Sequence, residues 1–247
     1  MDITHLVVNG CSWTYCQGLD DPKTQGWPAL VARELCVPVV NISLPGSGND
    51  AIHRRTYEYV YQNLPTGSKP LFLIFWSQYW RREAWHELDN GSGDYRGIHP
   101  EPDLKTSAYD DHERALITHW NDEDFLRKTL LYKLSTINLF RSLDIPFLIT
   151  DRATPEDPLP DVGITMKDAI LQDTCHLVMD DQESLLINVY PKLPCGHDGV
   201  EAQIETSKWW IKYIKMRHPG LNISINRPFI TLDEYVIEKD NTHLQWK

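Results

Sequence analysis

The sequence lacks the long apolar runs and the clusters of basic residues that mark several classes of protein. No apolar stretch approaches the roughly 20 residues of a membrane-spanning helix. The first residues, MDITHLVVNG, lack the basic and apolar regions of a signal peptide. Acidic residues outnumber basic ones by 35 to 24, and the net charge is −11. This balance argues against nucleic-acid and anionic-membrane partners, because both are bound through clustered Lys and Arg.

Cysteine is scarce and is not spaced for disulfides or metal sites. The five cysteines are an odd number without a disulfide spacing, so we expect reduced thiols in a cytosol-like compartment. Cys175-His176 and Cys195-Gly196-His197 each offer two potential zinc ligands, but neither has the paired spacing of a zinc site. We therefore predict no metal, no cofactor and a cytoplasmic location.

Alternating strand and helix patterns fill the first third of the chain, and 41% of the 247 residues are hydrophobic. We predict strands at 6–9, 37–42, 71–76, 145–150 and 185–190, and helices at 27–35, 51–62, 124–143 and 200–216. Strands separated by helices indicate βαβ units and a parallel sheet. The prediction is one α/β domain over residues 1–247 with a five-stranded parallel sheet. It includes an irregular insertion at about 82–121 and an ambiguous tail at about 219–247.

Small polar residues follow each of the first three predicted strands. Gly10-Cys11-Ser12 follows the first, the turn containing Gly46 follows the second, and Ser77-Gln78 follows the third. Each residue alone is a common turn former or helix cap. Ligands of an open parallel sheet bind beyond the carboxyl ends of its strands, near the reversal of strand order. Together these residues would bring a hydroxyl, a glycine N–H and an amide to one edge of the sheet.

These segments resemble the SGNH (GDSL-like) serine hydrolases, and more closely an SGNH-type group found in tailed-phage genomes. GCS at 10–12 resembles the first block of the family, G-D-S, with Cys11 in place of Asp. Residues 41–46 match the spacing of the second block, N-x-x-x-x-G. WSQY at 76–79 stands where the family has its third block, G-x-N-D. The resemblance implies a three-layer α/β/α, flavodoxin-like architecture.

The resemblance also implies roles for these residues. Ser12 would be the nucleophile, and the oxyanion hole would be formed by Ser12, Gly46 and the side chain of Gln78 or, less favoured, Ser77. A serine hydroxyl needs a base within hydrogen-bond reach to become a nucleophile. Trp76 stands where the family has glycine, which implies a reshaped pocket.

Two segments compete for the last block of the family, D-x-x-H-P, which supplies the base. PCGHDG at 194–199 precedes a predicted helix but has Pro194 in place of the Asp. DNTH at 240–243 keeps that spacing with Asp240 and His243, but only four residues follow it. We favour His197 and keep the second pair as the alternative. Asp198, Asp240 or a backbone carbonyl would orient the base.

Aromatic residues cluster after the third predicted strand, at Trp76, Tyr79, Trp80, Trp85 and Tyr95. Aromatic faces can stack on sugars, although large aromatics more often serve burial. The predicted substrate-binding residues are Asn49, Trp76, Tyr79 and Arg81. Four histidines of the insertion are expected to be solvated, although one of them would replace His197 if the fold brings it near: His86, His99, His112 and His119.

The leading hypothesis from the sequence is a serine esterase that cleaves a small acyl ester, for example an acetyl group on a carbohydrate. An alternative is a catalytically decayed scaffold that binds carbohydrate or has a structural role, since the third-block Asn and the Asp before His197 are missing. A third hypothesis, Cys11 as the nucleophile, is weaker because nothing basic flanks this thiol. The expected partner is a small-molecule or glycan ester, and association with a virion would follow if a phage encodes the chain.

Overall fold

The computed structural model describes residues 3–63, 68–87, 93–98, 115, 121–151, 164–173, 175–177, 190–221 and 235–237. The backbone alone is described at 84–87, 93–98, 164, 165, 167, 171, 176 and 235–237. The strands are β1 His5–Asn9, β2 Val39–Asn41, β3 Pro70–Trp76, β4 Arg82–Glu87, β5 Gly93–Ile98, β6 Phe147–Asp151, β7 His176–Leu177 and β8 Tyr235–Ile237. The helices are α1 Ser12–Tyr15, α2 Pro22–Gln25, α3 Trp27–Leu35, α4 Asn49–Asn63, α5 Asp122–Ser142, α6 Ile164–Leu171 and α7 Val200–Arg217.

Six strands form one parallel sheet in the order β7-β6-β3-β1-β2-β8. All seven residues of β3 are buried, as an unbroken apolar run in a sheet covered on both faces should be. The predicted parallel α/β fold is confirmed, but the described sheet has six strands instead of five. The short edge strands β7 and β8 were not predicted from the sequence. The predicted strand at 185–190 lies outside the described residues, apart from Tyr190, which lies in a bend.

The strand order reverses between β1 and β3, the two central strands. The chain passes from β1 to β2 on one side and then returns across β1 to β3 on the other side. Residues Val7 and Phe72 are paired in the register of these strands, as are Asn9 and Ile74. This is the flavodoxin-like arrangement, and it leaves a crevice at the carboxyl ends of β1 and β3.

Helices cover both faces of the sheet and make three layers. Alternate residues of a strand point to opposite faces. Phe72 packs against Phe140 of α5 with ring centroids 4.6 Å apart, whereas Phe75 meets Trp210 of α7 at 6.2 Å. Trp27 of α3 stacks on the same Trp210 at 5.5 Å. Helices α3 and α7 therefore lie on one face and α5 lies on the other, with α4 packed beside α5.

The predicted irregular insertion begins with a regular element. Strands β4 and β5 pair in antiparallel fashion, from Arg82 opposite Ile98 to Glu87 opposite Gly93. The expectation of irregular structure is therefore wrong for residues 82–87 and 93–98, where charged residues and glycine interrupt the apolar pattern of the strands. The tail, ambiguous in sequence, contributes β8, which pairs with β2 at the sheet edge. No helix in the described ranges is long and apolar enough to cross a membrane.

Candidate active site

Ser12 lies just beyond the carboxyl end of β1, as the first residue of α1. Cys11 is the N-cap of this helix, with an extended backbone, and its carbonyl accepts the N–H groups of Thr14 and Tyr15, each at 3.0 Å. Ser12 is 5% exposed and Cys11 is 3% exposed. Ser12 therefore lies at the reversal of strand order, where parallel sheets bind their ligands.

Gly10 allows α1 to begin this close to the sheet. A Cβ atom at this position would lie 2.1 Å from Oγ1 of Thr14 and 2.9 Å from the carbonyl oxygen of Phe75. Its φ angle is not positive, so the backbone conformation does not require glycine. Glycine is required because there is no space for a side chain. The first residue of the GCS motif thus has a packing role that sets the position of Ser12.

The buried side chain of Asn41 joins the end of β2 to α1. Its Nδ2 donates to the carbonyl of Thr14 at 3.0 Å. Its Oδ1 accepts the N–H of Ser43 at 3.1 Å and the hydroxyl of the same residue. Asn41 is fully buried, so the first residue of the second motif acts as a brace between two strand ends.

A second buried amide, that of Asn9, joins the end of β1 to α4. Its Nδ2 donates to the carbonyl of Ile52 at 2.8 Å and to Oγ1 of Thr56 at 2.9 Å. Its Oδ1 accepts the N–H of Gly10 at 2.8 Å. Buried polar groups that are satisfied in this way specify one arrangement of the elements that they connect.

Gly46 lies in a tight turn after β2, as predicted. The N–H of Ser47 donates to the carbonyl of Leu44 at 3.3 Å. Gly46 has a φ of 81°, and Pro45 precedes it, which together are typical of a type II turn. Arg55 of α4 fixes the start of this loop, because its Nε donates to the carbonyl of Ile42 at 2.6 Å.

Asn49 is buried and bound to the main chain at the exit of β3. Its Oδ1 accepts the N–H of Ser77 at 2.8 Å, and its Nδ2 donates to the carbonyl of the same residue at 3.0 Å. The predicted contact between Asn49 and a substrate is therefore wrong, because the side chain has no exposed surface. Ser77 is itself buried, and its Oγ has no hydrogen-bond partner among the described residues. Gln78, the next residue, is half-buried.

Trp76 is likewise buried completely, within the run of seven buried residues that forms β3. The prediction that its ring contacts a substrate is wrong for that reason. Tyr79 and Trp80 are half-buried and meet edge to face, with ring centroids 5.0 Å apart. Trp85 and Tyr95 are opposite each other in the hairpin, but their side chains lie outside the described structure.

His197 follows a three-residue hairpin loop just before α7. The N–H of Gly196 donates to the carbonyl of Leu193, and the N–H of Leu193 donates to the carbonyl of His197, both at 2.8 Å. Gly196 has a φ of 79°, the left-handed conformation that such loops require at their last position. Pro194 occupies the first corner of the turn, where its restricted φ fits. This explains proline at the position where the related motif has Asp.

The loop rests on the helix that begins with Ser12. The rings of Trp13 and His197 lie 5.3 Å apart, and Nζ of Lys192 lies 4.8 Å from the Trp13 ring. A Cβ on Gly18 would lie 2.4 Å from Sγ of Cys195. The structure therefore brings the residue next to Ser12 into contact with His197. Trp13 was given no role from the sequence, although its place beside the candidate nucleophile was a signal.

Gln203, one turn into α7, ties this helix to the segment after α1. Its Oε1 accepts the N–H of Trp27 at 3.1 Å and the thiol of Cys16 at 3.3 Å. Gln203 is 3% exposed. Nothing in the sequence pattern links it to two residues that are more than 170 positions away, so sequence reasoning missed it.

Asp198, one candidate for orienting the base, is buried and forms an ion pair with Lys192. Its carboxylate thus neutralises the cation beside Trp13. Asp240 and His243 lie outside the described residues, as do His99, His112, His119 and the side chain of His86.

Charged groups near the exit of β3 are strongly desolvated. Burial raises the pKa of Asp50, whose carboxylate accepts the N–H groups of Glu83 at 3.0 Å and Ala51 at 2.9 Å. Burial lowers the pKa of Arg82, whose guanidinium lies 4.3 Å from the ring of Phe125. The two charges attract each other, which opposes both shifts.

The cysteines of the chain are all free thiols. Burial raises the pKa of Cys16, so this thiol stays protonated near neutral pH. In the part of the chain that the structure describes, no three His, Cys, Asp or Glu side chains are grouped to hold a metal ion.

Comparisons with known proteins place this geometry within a fold. No family model and no curated protein sequence matches the chain. Among solved structures, TesA superposes with a TM-score of 0.51 at 18% identity, over 86% of this chain and 98% of TesA. The esterase EstA from Pseudoalteromonas sp. gives 0.51 at 11% identity, over 87% of this chain and 98% of EstA. A carbohydrate esterase with divergent catalytic and non-catalytic binding functions gives 0.54 at 12% identity, over 87% and 70%. The chain therefore shares the α/β/α fold of these three structures.

Proposed function

We propose that this protein is a serine ester hydrolase with Ser12 as the nucleophile and His197 as the general base. One observation carries the proposal: Ser12 begins α1 at the reversal of strand order, and the loop bearing His197 contacts the same helix through Trp13. The fold shared with esterases such as EstA supports the reaction class.

In the proposed reaction, Oγ of Ser12 attacks the acyl carbon of the ester while His197 accepts the hydroxyl proton. Collapse of the tetrahedral intermediate breaks the bond to the alcohol, which takes the proton from His197. Water, deprotonated by the same histidine, then attacks the acyl-enzyme. The acid is released, and Ser12 regains its proton.

Three donors are proposed for the oxyanion: the N–H groups of Ser12 and Gly46 and the side-chain amide of Gln78. Ser77 is the alternative to Gln78, and its buried Oγ has no hydrogen-bond partner within the described structure. In comparable sites each such donor contributes roughly 2.7–4 kcal/mol. The bond between Asn41 and Thr14 supports this assignment, because it joins the first two strand ends.

The aromatic face of Trp13 is proposed to position His197, in place of the Asp that the related motif has at position 194. Asp198 forms an ion pair with Lys192, so we assign it a role in holding the loop and not in orienting His197. The pair Asp240 and His243 remains the alternative source of the base.

The proposed substrate is a small acyl ester, with acetyl as the simplest acyl group, carried by a carbohydrate. The carbohydrate esterase of the same fold supports this choice. Tyr79 and Arg81, both half-buried beyond β3, are the residues proposed to contact it. We also propose that the chain resembles the SGNH-type group of tailed phages more than it resembles other SGNH hydrolases.

Labelling with a fluorophosphonate probe tests the assignment. We expect the wild type to be labelled and Ser12→Ala to lose labelling, with hydrolysis of p-nitrophenyl acetate reduced by about 10⁴-fold or more. His197→Ala should also lose labelling, whereas His243→Ala should keep it, and the reverse would assign the base to the tail. Ser142→Ala, on the exposed end of α5, is the control. Labelling retained in folded Ser12→Ala would overturn the nucleophile assignment.

A carbohydrate-binding scaffold without catalysis is the second candidate function. Pro194 and Gln78, which replace the motif's Asp and Asn, favour it. It predicts no labelling of the folded wild type, together with saturable glycan binding that persists in Ser12→Ala.

A further inference from the structure

Four arginines with described side chains are buried or half-buried, and three of them have partners within the protein. Arg54 pairs with two glutamates, Arg55 donates to a backbone carbonyl, and Arg82 donates to another carbonyl and stacks on an aromatic ring. Arg81 is the exception, because its side chain makes no hydrogen bond or ion pair with another residue that the structure describes. Its Nε is buried without a partner. Nε and Nη1 of Arg82 also lack partners, but Nη2 of Arg82 donates to the carbonyl of Phe125 at 2.9 Å.

Arg81 as a whole is half-buried, but its Nε is enclosed without an acceptor, which is unfavourable because burial removes water and nothing replaces it. The surrounding chain has an excess of carboxylates, 35 acidic residues against 24 basic ones, and the neighbouring arginine Arg54 uses two of them. The structure thus leaves the Arg81 guanidinium available to an anion from outside the protein.

The position of Arg81 connects it with the proposed oxyanion hole. Its N–H donates to the carbonyl of Gln78 at 3.2 Å, which closes the turn after β3. Its own carbonyl oxygen lies 2.4 Å from the point where a Cβ on Gly48 would be. Gly48 is two residues beyond Gly46, so the backbone of Arg81, in the turn after β3, packs against the loop after β2. An oxyanion donor is assigned to each of these two segments.

We propose that Arg81 binds a carboxylate carried by the substrate, so that the preferred substrate is an acyl ester of an acidic sugar of the uronic acid class. This inference rests on the proposed esterase function and names its substrate class. A guanidinium presents parallel N–H groups that match the two oxygens of a carboxylate. The single positive charge of the guanidinium neutralises the charge of one carboxylate.

A pair of matched substrates tests the proposal: a mono-acetylated methyl glucuronoside and the corresponding glucoside, which differ only in a carboxylate or a hydroxymethyl group. We expect the wild-type kcat/KM to favour the uronoside by about 10- to 100-fold, as for a hydrogen bond to a charged group. Arg81→Gln should reduce this ratio to about 1, and Arg81→Lys should give an intermediate ratio. Arg33→Gln, which removes an exposed charge on α3, should keep the wild-type ratio. A wild-type ratio near 1, or an unchanged ratio in Arg81→Gln, would overturn the inference.

Failure of the proposed function gives a different result. In that case the wild type hydrolyses none of the esters, p-nitrophenyl acetate included, and the carboxylate site is tested by calorimetric titration with the two unacetylated glycosides. Binding of the methyl glucuronoside that is at least tenfold weaker in Arg81→Gln would support the site. Equal binding of both glycosides by the wild type would contradict it.

Discussion

The two sides of the candidate site are held by different kinds of interaction. The nucleophile side, residues 9–46 with the proposed nucleophile Ser12, is braced by the buried amides of Asn9 and Asn41, whose hydrogen bonds join the ends of β1 and β2 to α4 and α1. The base side, residues 190–199 with the proposed base His197, is a hairpin loop that rests on Trp13 through ring and cation contacts. One side is fixed by directional bonds in the core, and the other by packing near the surface.

The resembled motifs are kept at residues that place backbone groups, and they change at positions where the motifs have side chains, among them Cys11, Gln78 and Pro194. Gly10, Asn41 and Gly46 place backbone groups, and each is required by space, by hydrogen bonds or by a positive φ. Pro194 and Gln78 stand where the motif has side chains with a direct chemical role. The role of one side chain can be taken over by a different side chain, whereas few other groups can supply a backbone N–H at a fixed point.

The largest effect is expected from Gly10→Ala on the nucleophile side. The new Cβ would overlap Oγ1 of Thr14 and the carbonyl of Phe75, so we expect a loss of about 3 kcal/mol in the free energy of unfolding, together with loss of labelling at Ser12. Urea unfolding measures the first quantity. Gly220→Ala is the matched control, since nothing lies within 4 Å of a Cβ there. Equal stability of the two variants would show that Gly10 is not limited by space.

A smaller effect, on catalysis, is expected where the two sides meet. Trp13→Leu removes the ring that contacts His197, and we expect kcat to fall by about 10- to 100-fold with little change in KM, because the proposed base loses its orientation. Trp13→Phe keeps an aromatic face and should recover most of the activity. Steady-state kinetics with p-nitrophenyl acetate make the measurement. A rise in KM alone would instead assign Trp13 to substrate binding.

The smallest effect is expected on the base side, from Gly196→Ala. A Cβ at this position has no neighbour within 4 Å, but its φ of 79° is strained for alanine, so we expect a loss of about 1–2 kcal/mol in stability. Gly196→Asn should cost less, because asparagine tolerates the left-handed region. Thermal unfolding compares the two variants. A larger loss for Asn than for Ala would contradict the conformational explanation.

The regular elements of the fold could be predicted because their signals are local. Helix α3 was predicted with its observed bounds, Trp27–Leu35, and β3 differs from its prediction only by Pro70. Strands β7 and β8 have two and three residues, too few for any periodicity, and they exist because a neighbouring strand offers a free edge. The hairpin of β4 and β5 was missed because its strands lack an apolar alternation.

The amino-acid sequence by itself determined the α/β class, the position of Ser12 at a strand end and the turn at Gly46, because each follows from residues adjacent in the chain. Only the tertiary structure decided which polar residues at the strand ends remain available for chemistry. Asn49 and Gln78 have similar signals in sequence, but the amide of Asn49 is bound to the backbone of Ser77, 28 positions away. Burial and hydrogen bonding depend on such distant partners, and these are set only when the elements pack together.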